Sequence, residues 1–120
     1  MKKIYHLATC STNQKILKDV GATKKKATLQ DIKSEPITPV QLDEMKKLAG
    51  TYEALFSRKA MKYRSMGLHE KQLTEKDYRK LILEEYTFLK RPVAIVNNRI
   101  FIGSTKAVVE ELKNALETVA

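Results

Sequence analysis

The sequence is poor in the residues that staple small folds, bind metals or stack on bases. Its 120 residues include one cysteine, no tryptophan and 7% aromatic residues. A lone cysteine cannot form an internal disulfide, which argues against a stapled secreted module and predicts a reducing, cytoplasmic location. One cysteine and two histidines supply too few ligands for a metal site, so we predict none. The apolar runs are short, as in "PVAIV" and "IFIG", so no membrane-spanning segment is predicted.

Acidic residues are also in the minority. Lysine and arginine number 23 against 14 aspartates and glutamates, a formal net charge of +9. Such a charge attracts anions in general, whether nucleic acid, an acidic protein or a small oxyanion. The densest basic run, Lys24 to Lys26, is predicted to be a solvated loop. Aromatic residues do not interleave with the basic ones and no zinc-finger spacing occurs, so the sequence contains no nucleic-acid-binding motif.

The periodicity of apolar residues predicts strands near both ends of the chain. "KIYHLA" (3–8) and "ATLQDI" (27–32) alternate like strands, and a helix capped by Ser11 or Thr12 lies between them and stops at Gly21. "RPVAIVNNRIFIG" (91–103) reads as two antiparallel strands joined by an Asn-Asn turn. A final helix, capped by Ser104 or Thr105, follows. Its predicted apolar stripe is Val108, Leu112, Leu116 and Val119.

The middle of the chain, about 38–90, is predicted to be a helical insertion. Thr38 caps one helix, with Pro39 at its first position, and Gly50 ends it; Thr74 caps another. Val40, Met45 and Leu48 are predicted to face inward from the first of these helices. Tyr78, Leu81, Ile82 and Leu89 recur at helical spacing and are assigned to the second. The stretch 57–73 is predicted as a polar connection. The order β-α-β, helical insertion, β-β-α predicts a single α/β domain over 1–120 with a four-stranded mixed sheet, the thioredoxin-like arrangement.

The one cysteine precedes the first predicted helix. Unpaired N–H groups at a helix N-terminus favour an anion, and the thiolate is the nucleophilic form of cysteine. Ser11, Thr12 and Asn13 follow directly and are predicted to stabilise a thiolate at Cys10. The other interpretation of Cys10 is a small buried hydrophobic residue. Its position favours the nucleophile.

Two segments, "YHLATC" and "LKRPVAIVNNRIFIG", resemble the arsenate reductase family of the thioredoxin fold, to which the redox-sensing regulator Spx also belongs. The resemblance covers nearly the whole chain. It implies that Cys10 is the nucleophile, with His6 four residues before it. It also implies catalytic roles for Arg91 and for Arg58, which stands in "LFSRKAMKY". Finally, it implies a cis peptide bond before Pro92, beside the active cysteine.

The chain departs from that family pattern at two places. Ile102 or Gly103 stands where the family has a third, oxyanion-binding arginine, which counts against arsenate as the substrate. Asn13 stands where Spx has a second cysteine. The resemblance therefore implies an arsenate reductase-like thiol oxidoreductase with one cysteine and no bound cofactor. An external thiol, glutathione or glutaredoxin, would resolve its adduct with a small oxyanion or mixed-disulfide substrate. The alternatives are an Spx-like regulator that binds RNA polymerase without turnover, or a scaffold.

Overall fold

Four strands form one mixed sheet in the order β2-β1-β3-β4. The computed structural model describes residues 1–118. The strands are β1 (Lys2–His6), β2 (Thr28–Asp31), β3 (Val93–Val96) and β4 (Arg99–Ile102). β1 runs parallel to β2, whereas β1 and β3, and β3 and β4, are antiparallel. This mixed sheet confirms the predicted fold class. Asn97 takes a φ of 55° in the β3–β4 turn, a left-handed conformation that asparagine tolerates well.

The helices of the described chain are α1 (Ser11–Asp19), α2 (Pro39–Ala49), α3 (Met61–Ser65), α4 (Glu75–Glu84) and α5 (Lys106–Thr118). Single 3₁₀ turns cover Glu53–Leu55, Leu68–Glu70 and Tyr86–Phe88. Thr38 and Thr74 each form a full capping box with the residue three positions on, as the sequence predicts. Thr105 caps α5, because its Oγ1 accepts from the N–H of Val108 at 3.3 Å. None of these described helices has the length and apolar character that crossing a membrane requires.

One side of the sheet packs against α1 and α5. Ile4, Ala94 and Phe101 form a buried core there with residues from both helices. The helix residues in this core are Ile16, Leu17, Val20, Leu112, Ala115 and Leu116. Of the predicted apolar stripe of α5, Leu112 and Leu116 are confirmed as buried, and Val108 is partly buried. Val119 lies outside the described residues. This packing holds the second half of α1, at Ile16 and Leu17, on the sheet.

Contacts divide the chain into two compact units, Met1–Pro36 with the chain from Arg91 onward, and Ile37–Lys90. All four strands belong to the first unit. The described residues of 37–90 contribute helices and one isolated bridge between Phe56 and Leu89, and no strand of the sheet. That agrees with the predicted helical insertion, and the single domain stays a prediction. Within the second unit, Arg79 of α4 donates to both carboxylate oxygens of Asp43 on α2, at 2.9 and 3.2 Å.

Three predictions for the middle of the chain are wrong. Val40 is 78% exposed, whereas Leu42 and Met45 are fully buried. Residues two apart on a helix point in nearly opposite directions, so Leu42 facing inward turns Val40 outward. The stretch predicted as a plain connection contains α3 and a 3₁₀ turn. Leu89 is buried but lies beyond the end of α4, in the bridge with Phe56.

The predicted edges of the first elements are also shifted. β1 ends at His6, two residues earlier than predicted. α1 starts at Ser11 with Cys10 as its N-cap residue, so the predicted hydroxyl cap at Ser11 or Thr12 is wrong. The connection from strand to helix is therefore residues 7–10, and the cysteine occupies its last position.

Candidate active site

Cys10 is the N-cap residue of α1. Its backbone is extended, with φ −91° and ψ 115°, and its carbonyl accepts the first helical bond from the N–H of Gln14 at 3.1 Å. The N–H of Cys10 itself donates to the carbonyl of Leu7 at 3.0 Å, which closes the turn after β1. The side chain is a free thiol of intermediate exposure. The thiol thus lies at a helix N-terminus, with part of its surface open to solvent.

Asn13 joins the thiol to the turn that precedes it. This asparagine is buried, with 2% of its surface exposed. Its Oδ1 accepts from the N–H of Leu7 at 3.0 Å, and its Nδ2 donates to Sγ of Cys10 at 3.5 Å. Of the three side chains predicted to stabilise a thiolate, Asn13 makes the contact with sulfur. Ser11 and Thr12 are exposed in the first turn, and within residues 1–118 neither hydroxyl bonds to the sulfur.

Asp31 holds the same turn from the neighbouring strand. Its Oδ1 accepts from the N–H of Ala8 at 3.1 Å, and its Oδ2 accepts from Oγ of Ser34 at 2.9 Å. These hydrogen bonds lower the pKa of the Asp31 carboxyl below its usual range, and the one from Ala8 has the largest effect. The sequence reasoning missed Asp31. The predicted parallel pairing of β1 and β2 could have identified Asp31, because it brings the carboxyl ends of both strands to one end of the sheet.

The directions of the strands place two more of the predicted site residues, Arg91 and Pro92, at this end of the sheet. Because β3 is antiparallel to β1 and Tyr5 pairs with Val93, Arg91 and Pro92 enter β3 beside the end from which the chain leaves β1. The Arg91–Pro92 peptide bond, for which the family resemblance implies the cis form, is cis. Arg91 is half-buried and Pro92 is buried. We call this end, made by 7–10, 31–34, 91–92 and 103–105, the Cys10 end of the sheet.

Gly103 is one of the two positions, with Ile102, at which the family resemblance implies a third arginine. Its φ is 95°, a region that side-chain-bearing residues rarely adopt. Its N–H donates to the carbonyl of Pro92 at 2.9 Å. A Cβ at this position would meet nothing within 4 Å, so the backbone conformation rather than crowding disfavours an arginine there. The neighbouring candidate position, Ile102, is half-buried at the end of β4.

His6 is buried at the end of β1, and its Nδ1 has no hydrogen-bond partner among the described residues. Loss of hydration lowers the pKa of the imidazole below its ordinary value, and the nearby charge of Asp31 partly opposes this change. Within residues 1–118 no hydrogen bond joins His6 to Cys10. The role of His6 in tuning the thiol stays a prediction.

Arg58 belongs to the second unit and has an ion pair there. Its Nη2 donates to Oε2 of Glu53 at 2.7 Å and to the hydroxyl of Tyr78 at 2.9 Å. The hydrogen bond to Glu53 is the main reason why the pKa of this guanidinium is raised. The catalytic role that the resemblance implies for Arg58 stays a prediction.

The described residues contain no group of three His, Cys, Asp or Glu side chains arranged to hold a metal ion. The site presents a thiol at a helix N-terminus with an amide donor beside it. Fold and site together define a thioredoxin-like α/β protein with a single cysteine at the junction of its first strand and first helix.

The family model for the ArsC family matches residues 5–112. The chain belongs to the ArsC family. No curated protein matches the sequence significantly.

Solved structures share the fold. An ArsC family related protein from Bacteroides fragilis superposes with a TM-score of 0.77 at 22% identity, over 92% of this chain and 96% of that one. The arsenate reductase from Vibrio cholerae gives a TM-score of 0.76 at 18% identity, over 98% and 97%. An arsenate reductase (ArsC) related protein from Brucella melitensis gives 0.71 at 23% identity, over 92% of each chain. At such identities the likeness establishes the fold.

Proposed function

We propose that this protein is a thiol-dependent reductase in which Cys10 is the nucleophile and an external thiol regenerates it. The observation that carries the proposal is the hydrogen bond from the buried Asn13 amide to the sulfur of Cys10, a partly exposed residue at the start of α1. Family membership supports it, because thiol chemistry on an oxyanion is what the arsenate reductases of this family perform.

The groups around the sulfur are ones that interact favourably with an anion. A helix N-terminus presents N–H groups and about half a positive charge, which favours a thiolate over a thiol. The amide of Asn13 adds a donor, and its orientation is fixed because its oxygen is held by the N–H of Leu7. Arg91, at the same end of the sheet, is proposed to bind the anionic part of the substrate. Nucleophilic catalysis by cysteine usually requires the thiolate.

The reaction needs an external thiol because the chain has one cysteine. With a mixed disulfide, the Cys10 thiolate attacks one sulfur, the S–S bond breaks, and the other sulfur leaves as a thiolate that takes up a proton. With an oxyanion, Cys10 displaces one oxygen, which leaves as water. The thiolate of glutathione then attacks the Cys10 sulfur and forms a disulfide. The bond from that sulfur to the central atom of the oxyanion breaks, and its electron pair stays on that atom, which is thereby reduced by two electrons. In both cases a further glutathione thiolate attacks the adduct and releases Cys10.

Between the two substrate classes, the structure favours a mixed disulfide. Ile102 and Gly103 provide no cation at the place where the family has its third arginine, and the φ of 95° at Gly103 disfavours one. A disulfide needs no such set of cations because it carries no charge at the reacting sulfur. Arsenate remains the comparison substrate in the test.

The test is turnover with glutathione as reductant, followed through glutathione reductase, using arsenate and a glutathione-mixed disulfide separately. We expect turnover of the mixed disulfide by the wild type and none above background with Cys10→Ser. Ser11→Ala is the matched control, because Ser11 is the exposed neighbour of Cys10 and should keep full activity. Turnover that survives Cys10→Ser, or no turnover of either substrate by folded protein, would refute the proposal. Faster reduction of arsenate than of the disulfide would overturn the substrate class alone.

No observation favours the regulatory alternative. The residue three positions after Cys10 is Asn13, so the two-cysteine switch of Spx has no counterpart here. We therefore do not propose RNA polymerase as a partner.

A further inference from the structure

A concave surface lies at the opposite end of the sheet from Cys10. It has a volume of about 780 Å³, and its lining includes Lys2, Lys25, Lys26, Thr28 and Asn97. We call this surface the lysine cavity. Lys2 begins β1 and His6 ends it, so the two ends are about 13 Å apart along the strand at the usual rise per residue. The cavity is therefore separate from the proposed nucleophile.

The charges that line the lysine cavity are all of one sign. Three lysines line it, and no carboxylate side chain is among the described residues of the lining. The Nζ of Lys2 donates to the carbonyl of Lys25 at 3.0 Å, which attaches the lysine loop to the first strand. The hydroxyl of Thr28 and the amide of Asn97 add neutral hydrogen-bonding groups. The lining is thus built from groups that bind anions.

The backbone at Lys26 has an unusual conformation. Its φ is 60°, which is left-handed and is adopted readily by glycine or asparagine but rarely by lysine. Hydrogen bonds fix the loop in this form: the N–H of Lys26 donates to Thr23 at 3.0 Å, and that of Ala27 donates to Ala22 at 2.9 Å. A lysine here opposes local backbone preference and adds a positive charge to the cavity. Backbone strain of this kind is typical of positions kept for binding.

We propose that the lysine cavity binds a small ligand that carries at least two adjacent phosphate groups. Lysine ammonium groups are compact point charges that suit phosphate oxygens. Three of them without an opposing carboxylate match a diphosphate better than a single monoanion. The depression is open to solvent, and its volume of about 780 Å³ leaves room for a small ligand. The diphosphate belongs either to a free inorganic polyphosphate or to a nucleotide.

The test is a titration of ¹⁵N-labelled protein, in physiological salt, with pyrophosphate and separately with adenosine triphosphate. We expect saturable shifts in the amide signals of the lining residues, and Cys10→Ser should bind as the wild type does. Equal affinity for both ligands identifies the diphosphate alone as the recognised group, whereas tighter binding of the nucleotide identifies a nucleotide as the source. Adenosine without phosphates should not bind.

Two double variants distinguish binding at the lysine cavity from non-specific attraction by the net positive charge of the protein. Lys25→Gln combined with Lys26→Asn removes two lining charges and keeps a residue that tolerates the left-handed backbone; we expect binding about tenfold weaker or more. Lys24→Gln combined with Lys113→Gln removes the same charge from exposed positions outside the lining and should stay within about twofold of the wild type. The spectra of the free variants check that each is folded. An equal loss in both variants, no saturable shift at millimolar ligand, or shifts confined to the Cys10 end would overturn the proposal.

Discussion

Replacing Asn13 tests both the stability and the reactivity of the candidate site. Asn13→Ala removes the acceptor for the N–H of Leu7 and the donor to the sulfur of Cys10. A buried N–H left without a partner costs about 1–3 kcal/mol. We therefore expect the free energy of unfolding to fall by about 2 kcal/mol. Loss of the donor to sulfur, worth about 1 kcal/mol, should slow alkylation of Cys10 about fivefold.

Asn13→Asp separates these two effects. A carboxylate oxygen still accepts from the N–H of Leu7, so that N–H keeps its partner, although burial of the charge itself costs stability. The other oxygen now faces the sulfur with a negative charge. Two like charges about 4 Å apart repel by about 4 kcal/mol at an effective dielectric constant of 20, and the partial exposure of Cys10 reduces this value. Alkylation should therefore be at least about tenfold slower, which is slower than with alanine.

The assays are urea unfolding and the rate of reaction with iodoacetamide at pH 7 in the folded state. Asn114→Ala and Asn114→Asp are the matched controls, because Asn114 is exposed on α5. Both should leave the stability within about 0.5 kcal/mol and the rate unchanged. If folded Asn13→Asp reacts with iodoacetamide as fast as the wild type, the reasoning about the amide donor is refuted.

Three further predictions concern pH and packing. Burial lowers the pKa of His6, so below about pH 6.5 the unfolded chain binds a proton that the folded chain does not. The free energy of unfolding should therefore fall as the pH drops through that range. In urea titrations at several pH values, His6→Gln should remove this part of the pH dependence. Met45→Ala should cost about 2–5 kcal/mol, and Val40→Ala less than about 0.5 kcal/mol; equal losses would contradict the observed orientation of α2. Thr74→Ala should cost about 1 kcal/mol in thermal unfolding through loss of its capping box with Asp77, and an unchanged Tm would count against that cap.

The elements that could be predicted from sequence are those specified by local signals. The alternation in 93–102 and the two asparagines between its strands define a hairpin without reference to the rest of the chain. The capping boxes at Thr38 and Thr74 are equally local, because each needs only residues within one turn. Parallel pairing of β1 and β2 followed from the helix between them. These signals were sufficient for the sheet and its helices.

The errors arose where tertiary packing chooses between faces. Nothing local distinguishes Val40 from Leu42 as the inward residue of α2, and the packing of this unit selects Leu42. The helix α3 has five residues and none of them is buried, so it leaves no apolar periodicity to detect. Leu89 is spaced like a helical residue but is buried through its bridge with Phe56, a contact between distant positions.

The candidate site was only partly readable for a similar reason. Cys10 could be located because a strand and a helix adjoin it in the sequence. The bonds of Asn13 depend on the course of the chain between β1 and α1, and this connection, residues 7–10, begins two residues earlier than predicted. Asp31 reaches the same turn from another strand, which requires the register as well as the order of the strands.

The most direct test of the account is the rate at which iodoacetamide alkylates Cys10 at pH 7, measured in the folded protein and again in urea. We propose that the helix N-terminus and the Asn13 amide activate Cys10, and both act on the sulfur only in the folded chain. We therefore predict faster reaction in the folded state, even though part of the side chain is buried. Reaction at an equal rate in both states, or only after unfolding, would contradict the central claim that Cys10 is an activated nucleophile.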